Sequence, residues 1–220
     1  MTDLLHTLET ETGPNPSASV IWLHGLGADG NDFMPIVAEL ALPARAIRFV
    51  FPNAPQMPVT INGGMVMPAW YDISDTAIRR EDERGVRASQ AAIEALIVRE
   101  VSRGSPVGNV VLAGFSQGGA IALQTALRHP ERLAGVMALS TYVPLADVLA
   151  AEASPANRDV PILMAHGTQD PVITLARAEQ SRSLLQGLGY RVEWRTYAMA
   201  HVVCPQEIAD IGRWLTKVLG

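Results

Sequence analysis

Ser116, Asp170 and His201 are the residues of this chain whose types and order could make a nucleophile. A serine hydroxyl attacks poorly at neutral pH. It becomes competent when an imidazole within hydrogen-bond reach takes its proton and a carboxylate orients that imidazole. The chemistry of such a set is attack on a carbonyl carbon and transfer of its acyl group to the serine. Ser116 lies in Gly114-Phe115-Ser116-Gln117-Gly118, a G-x-S-x-G run. A short apolar β-type stretch, Asn109 to Ala113, precedes it, and a helix-like stretch, Gly119 to His129, follows. In that context a tight turn holds the serine in a strained backbone conformation with its hydroxyl above the sheet edge. Side chains two positions before and two after would collide, which calls for glycine at both.

The partners must be carried to the same sheet edge. In open α/β sheets ligands sit at the carboxyl ends of the strands, so candidates lie just after strands, in the order Ser, Asp or Glu, His. Asp170 follows the run Ile162–Ala165 through His166-Gly167-Thr168-Gln169, and His201 follows the run Arg191–Tyr197. Taken singly, an Asp before Pro171 could only cap a turn and a loop histidine could be idle. Together behind Ser116, in the required slots, they form a set. His6 and His129 lie far from the turn in sequence, and His24 and His166 each precede a glycine at a strand end, where a ring fixes loops. Asp147 and Asp159 lie in or beside a long loop, and Glu207 follows His201, out of order for the orienting role. A tetrahedral oxyanion needs preorganised N–H donors. One is the amide of Gln117, at a helix start. The second is assigned to the Leu26 amide, in the loop His24-Gly25-Leu26-Gly27-Ala28-Asp29-Gly30.

The elements that must position these residues alternate. Strands are expected at Val20–Leu23, Ile47–Phe51, Val110–Ala113, Gly135–Leu139, Ile162–Ala165 and Arg191–Tyr197, several apolar on both faces as doubly covered strands must be. Helical patterns cover Asp32–Leu40, about Asp75–Ser102, Gln117–Arg128, Thr174–Leu188 and Pro205–Val218. In the second, Val86, Ser89, Ile93, Leu96, Ile97 and Val101 fall near one stripe. This order predicts a mostly parallel sheet with right-handed crossovers and helices on both faces, with Leu4–Glu9 as an antiparallel edge strand. Pro52 to Tyr71 and Ser140 to Asp159 read as long irregular loops, a length usually tied to function. About twenty residues in the second loop leave no room for a lid, so an open, shallow site is expected.

Bulk composition narrows the classes. The chain has 220 residues, 48% hydrophobic and 18% charged, with a formal net charge of −5. That size and composition suit one well-buried domain over residues 1–220. The basic pair Arg79-Arg80 runs straight into Glu81-Asp82-Glu83, so neither nucleic acid nor an anionic membrane has an electrostatic footprint. Cys204 is the only cysteine, which excludes an internal disulfide and is compatible with a reducing, cytoplasmic setting. No signal-peptide pattern and no apolar run of the ~20 residues needed to span a bilayer is found.

The segments resemble, in order over nearly the whole chain, the phospholipase/carboxylesterase family, which includes acyl-protein thioesterases and small bacterial carboxylesterases. The matching pieces are Val20 to Gly30, Pro52-Asn53-Ala54-Pro55, Pro58 to Gly64, Ala69-Trp70-Tyr71-Asp72-Ile73, Gly114 to Ala120 and His166 to Val172. The resemblance implies an α/β-hydrolase fold without a cap domain, the triad Ser116, Asp170 and His201, and the Leu26 and Gln117 amides as oxyanion hole. It also implies cleavage of carboxylic esters or thioesters, some from lysophospholipids or acylated proteins, with no metal and no organic cofactor.

The expected activity is that of a serine carboxylesterase acting on short- to medium-chain esters. A protein thioester or lysophospholipid donor is the alternative within enzymes, and a non-catalytic binding protein on the same fold is the rival outside them. Met65, Met67 and Trp70 in the first loop, with Val143, Val172 and Val203 near the triad in sequence, are the candidate acyl-binding surface, since thioethers adapt to varied chains. The exposed apolar loop also suggests a possible homodimer.

Overall fold

The computed structural model describes residues 4–42, 44–75 and 82–220. Apolar runs become strands β1 (Thr7–Glu11), β2 (Ala18–Leu23), β3 (Ile47–Pro52), β4 (Gln56–Val59), β5 (Met65–Pro68), β6 (Val110–Phe115), β7 (Gly135–Leu139), β8 (Ile162–Gly167) and β9 (Val192–Tyr197). The α-helices are α1 (Glu83–Ser102), α2 (Gln117–Arg128), α3 (Ala146–Glu152), α4 (Leu175–Gly187) and α5 (Pro205–Leu219). Seven strands form one sheet in the order β1-β3-β2-β6-β7-β8-β9. Within this sheet, among the described residues, only β1 runs antiparallel to its neighbour; its register, Thr7 opposite Pro52, gives an N-terminal edge strand starting three residues later than the sequence suggests.

The period of two along each strand feeds two cores. Ile21, Leu23, Val110, Leu112, Val136, Ala138, Ile162 and Met164 face a cluster completed by α1, α2 and α4. The intervening Val20, Trp22, Val111, Ala113, Met137, Leu139, Leu163 and Ala165 face a second cluster closed by α5, with Phe33 and Leu40. Helices therefore cover both faces, and apolar residues fill both sides of each central strand. Among the described residues no cap domain covers the carboxyl ends of the strands.

Five expectations need correction. The Asp32–Leu40 pattern is a 3-10 helix over Met34–Glu39, with Pro35 at its start and i+3 bonds such as Ile36 N–H to Phe33 O, 3.1 Å. Helix α1 starts at Glu83, where Asp82 accepts from the Gly85 amide at 2.9 Å; residues 76–81 of the expected helix lie outside the described residues. Its buried stripe is Val86, Ser89, Ile93, Leu96 and Ile97 as expected, but Val101 is exposed and Glu100 is buried instead. Glu100 accepts from Ser19 Oγ and pairs with Arg48, which is why a charge can lie there. The loop Pro52–Tyr71 contains the β4–β5 hairpin, paired with Val59 opposite Met65, and the loop Ser140–Asp159 contains α3.

Candidate active site

The elbow is built by backbone approach. Ser116 sits at φ 55° and ψ −121°, a region that side-chain-bearing residues rarely adopt. A Cβ on Gly114 would lie 2.3 Å from Gly118 C, and one on Gly118 would lie 2.5 Å from the carbonyl oxygens of Leu23 and His24. The strained serine is held by its N–H to Leu139 O at 2.8 Å and by Thr141 Oγ1, which donates to Ser116 O at 2.6 Å. The turn therefore presses against both flanking strands.

Strand ends then deliver the other two groups. His201 Nε2 lies 2.9 Å from Ser116 Oγ, and His201 Nδ1 lies 2.6 Å from Asp170 Oδ2. Asp170 is fully buried at its side chain, and its Oδ1 accepts from the amides of Val172 and Ile173 at 2.8 and 2.9 Å. These bonds fix the carboxylate so that Oδ2 faces the imidazole. The Phe115 ring packs on the His201 ring, centroids 4.7 Å apart. Gly167 lets the His201 loop pass close: a Cβ there would lie 2.3 Å from Ala200 O. The arrangement can move a proton from a hydroxyl to an imidazole held by a buried carboxylate.

The two segments expected to donate to an oxyanion lie next to Ser116. Gly25 lies beside the serine, where an added Cβ would stand 3.6 Å from Ser116 Cβ. Among the described residues the Leu26 N–H meets no protein acceptor, while Gly27 N–H donates to Pro68 O at 2.9 Å. Gln117 opens α2, so its N–H is one of the unpaired amides of a helix start. His24 and His166 fix loops, as their sequence positions suggest. His24 Nδ1 bonds Gly25 O at 2.7 Å and its Nε2 accepts from Ala54 N at 3.0 Å; His166 Nε2 bonds Ile173 O at 2.8 Å. Burial holds both imidazoles below their ordinary pKa, as it suits rings that serve as neutral hydrogen-bonding groups.

The expected acyl-binding residues are divided by the structure. Met65 is 64% exposed on the hairpin and Val172 is 62% exposed beside Asp170. Met67 turns its sulfur toward the Gly27 backbone and accepts from Asn62 Nδ2 at 3.2 Å. Val203 is partly buried against the α5 core. Trp70 and Val143 are corrections: both are buried, at 2% and 5% exposure. The Trp70 indole N–H donates to His24 O at 2.9 Å, and Val143 packs in the core with its amide on Ser181 Oγ. Neither offers surface to a ligand. Sequence reasoning missed the hairpin that carries Met65 and Met67, although Asn62-Gly63-Gly64 is a hairpin-turn signal and both glycines adopt positive φ. Among the described residues no group of three or more His, Cys, Asp or Glu could hold a metal ion, and no helix is long and apolar enough to cross a membrane.

The family model of the phospholipase/carboxylesterase family matches residues 9–219. The chain is similar to an acyl-protein thioesterase 1 of Neurospora crassa, 41% identical over 215 residues, covering 92% of this chain and 87% of the relative. It is 38% identical over 214 residues to an acyl-protein thioesterase 1 of Gibberella zeae, covering 92% and 91%. Among solved structures, acyl-protein thioesterase 2 of Zea mays superposes with a TM-score of 0.87 at 29% identity, over 98% of this chain and 99% of that one. The fold is that of the α/β-hydrolases. The family match runs from β1 to the end of α5 and takes in Ser116, Asp170 and His201: the chain belongs to the phospholipase/carboxylesterase family and is a hydrolase of the thioesterase or esterase kind.

Proposed function

We propose that this protein is a serine hydrolase that cleaves short- to medium-chain carboxylic esters through an acyl-enzyme. Ser116 Oγ attacks the ester carbonyl carbon while His201 Nε2 takes its proton. The oxyanion forms against the Leu26 and Gln117 amides. His201 returns the proton to the leaving alcohol as the C–O bond breaks, and Ser116 is left acylated. Water, deprotonated by the same imidazole, then attacks the acyl carbon and releases the acid and free Ser116. Asp170 keeps Nδ1 protonated and stabilises the imidazolium. The observation that carries this reading is the relay of 2.9 and 2.6 Å from a serine at positive φ to a buried carboxylate. Binding alone has no use for such a relay.

A fluorophosphonate probe tests it. Labelling of the wild-type protein that Ser116→Ala abolishes is the expected result, with a fall in kcat on the order of 10⁶ if the three residues act as a unit. Absence of labelling, or near-full activity of Ser116→Ala, removes the reading and favours a binding protein.

A second reading, an acyl-protein thioesterase on the same site, is favoured by the fungal relatives of that name at 41% and 38% identity. The chemistry is the same apart from a thiol leaving group. Comparing kcat/KM on acyl esters, acyl thioesters of a peptide cysteine and lysophospholipids separates the substrates.

A further inference from the structure

The side chain of Gln117 turns away from the serine and into the protein. Its Oε1 accepts from the Trp70 amide at 2.8 Å, and its Nε2 donates to Tyr71 O at 2.7 Å. A carboxamide is the neutral side chain that can accept and donate in this way at that length. The Trp70 ring continues the path, since its N–H donates to His24 O at 2.9 Å. The Trp70 carbonyl is taken by Ser89 Oγ from α1. His24 in turn grips the next residue through the 2.7 Å bond from its ring to Gly25 O, and its ring is fixed by the Ala54 amide at 3.0 Å. Two residues on, Gly27 N–H donates to Pro68 O at 2.9 Å.

Leu26 is thus held on both sides, through Gly25 and through Gly27, while its own N–H is left free of protein acceptors among the described residues. Gln117 is held by its side chain while its N–H opens α2. Both holds end on the same stretch, Pro68 to Tyr71, at the end of β5. Gln117, Trp70 and His24 are all buried, at 3%, 2% and 1% exposure, so water does not compete for these bonds.

We propose that the Gln117 carboxamide and the Trp70 indole are positioning residues that brace both N–H donors of the oxyanion hole from the Pro68–Tyr71 stretch. The inference rests on the serine-hydrolase reading above. Donors act in the transition state only if they already point where charge will develop. Here their direction is set by side-chain bonds to one shared piece of backbone, so losing either bond set lets a donor drift without removing it. A misplacement of about 1 Å is worth roughly 10²-fold in rate.

The test uses Gln117→Met, which keeps the backbone N–H and the side-chain volume but makes neither bond, and Trp70→Phe, which deletes the indole N–H to His24 O. Each is assayed with a soluble ester and with a trifluoromethyl ketone, whose serine adduct carries the oxyanion. The expected result is a roughly 10- to 100-fold fall in kcat with KM within about twofold, and weaker trifluoromethyl ketone inhibition by a comparable factor. A kcat within twofold of wild type, or a lower kcat with inhibitor affinity intact, overturns the proposal. Should Gln117→Met fail to fold, Trp70→Phe decides by the same criteria. Ser116→Ala serves as the control: if it stays active, the serine-hydrolase reading has failed, whereas an inactive Ser116→Ala beside an unaffected Gln117→Met sinks the brace alone.

Discussion

His166 backs Asp170: its Nε2 lies 2.8 Å from Ile173 O and 3.5 Å from Asp170 Oδ2. The amide of the same Ile173 donates to Asp170 Oδ1. The ring therefore closes the turn that holds the carboxylate, and its neutral form, favoured by burial, presents an N–H to both oxygens. Replacing it with Phe leaves Ile173 O unpaired in the interior, a cost of about 1–3 kcal/mol. We expect His166→Phe to melt at a lower temperature and to lose about tenfold in kcat/KM as Asp170 loosens. Unchanged melting and kinetics would detach this ring from the carboxylate's turn.

Gly118→Ala sets two effects against each other. Ala favours a helix over Gly by about 1 kcal/mol. Against that, the new methyl would stand 2.5 Å from two backbone oxygens, Leu23 O and His24 O, which cannot swing aside like a flexible side chain. Relief has to come from moving α2 away from β2, and that separates Ser116 from the Leu26 loop. The clash wins: both thermal stability and kcat should fall, kcat by on the order of 10²-fold. A more stable and active variant would mean that the elbow has slack.

Met65 probes the acyl surface. It stands exposed on the hairpin whose neighbour Met67 reaches the Gly27 backbone. If acyl methylenes lie along this surface, each contributes up to about 0.8 kcal/mol, so losing the contact of two changes kcat/KM by roughly tenfold. Met65→Asp should lower the ratio of kcat/KM for an octanoyl ester over an acetyl ester by about that factor. An unaltered chain-length profile would move the acyl chain elsewhere.

Glu207 gives a pH prediction. Its carboxyl is fully buried in the first turn of α5, and burial, with Asp210 adding like charge, pushes its pKa from 4.5 to about 8; the facing Cys204 amide offsets only part of this. Folded protein keeps the proton while unfolded chain loses it above 4.5, so stability falls as pH rises between 4.5 and about 8. The slope is about 1.4 kcal/mol per pH unit for one proton. Glu207→Gln removes the slope: the variant gains on wild type across that window and no further beyond it. Denaturant titrations at both ends of the window check this, and parallel profiles would mean that Glu207 is already ionised in the fold. The buried rings of His24, His129 and His166 work in the opposite sense, since burial lowers their pKa and their contribution is lost toward acid pH.

Local rules in the chain were enough to set the parallel sheet, the glycines around Ser116 and the slots of Asp170 and His201 after β8 and β9. Strand alternation, elbow sterics and the order of crossovers are short-range properties that few residues encode. The hairpin and α3 escaped because their signals are weak: Pro58 and Pro68 interrupt the β4–β5 pattern, and α3 buries only Leu149, too little to show a helical period. Tertiary structure alone decided that Trp70 lies beneath the site, that His166 backs Asp170 and that the Gln117 side chain reaches Trp70 and Tyr71. The first and last depend on hydrogen bonds between residues far apart in sequence, up to 47 positions for Gln117 and Trp70, whereas His166 reaches partners only four and seven positions on, and its part lies in the way the turn folds back on itself. Directional bonds of that kind form only once burial has excluded water, and no local pattern of residue types records which distant carbonyl will be there.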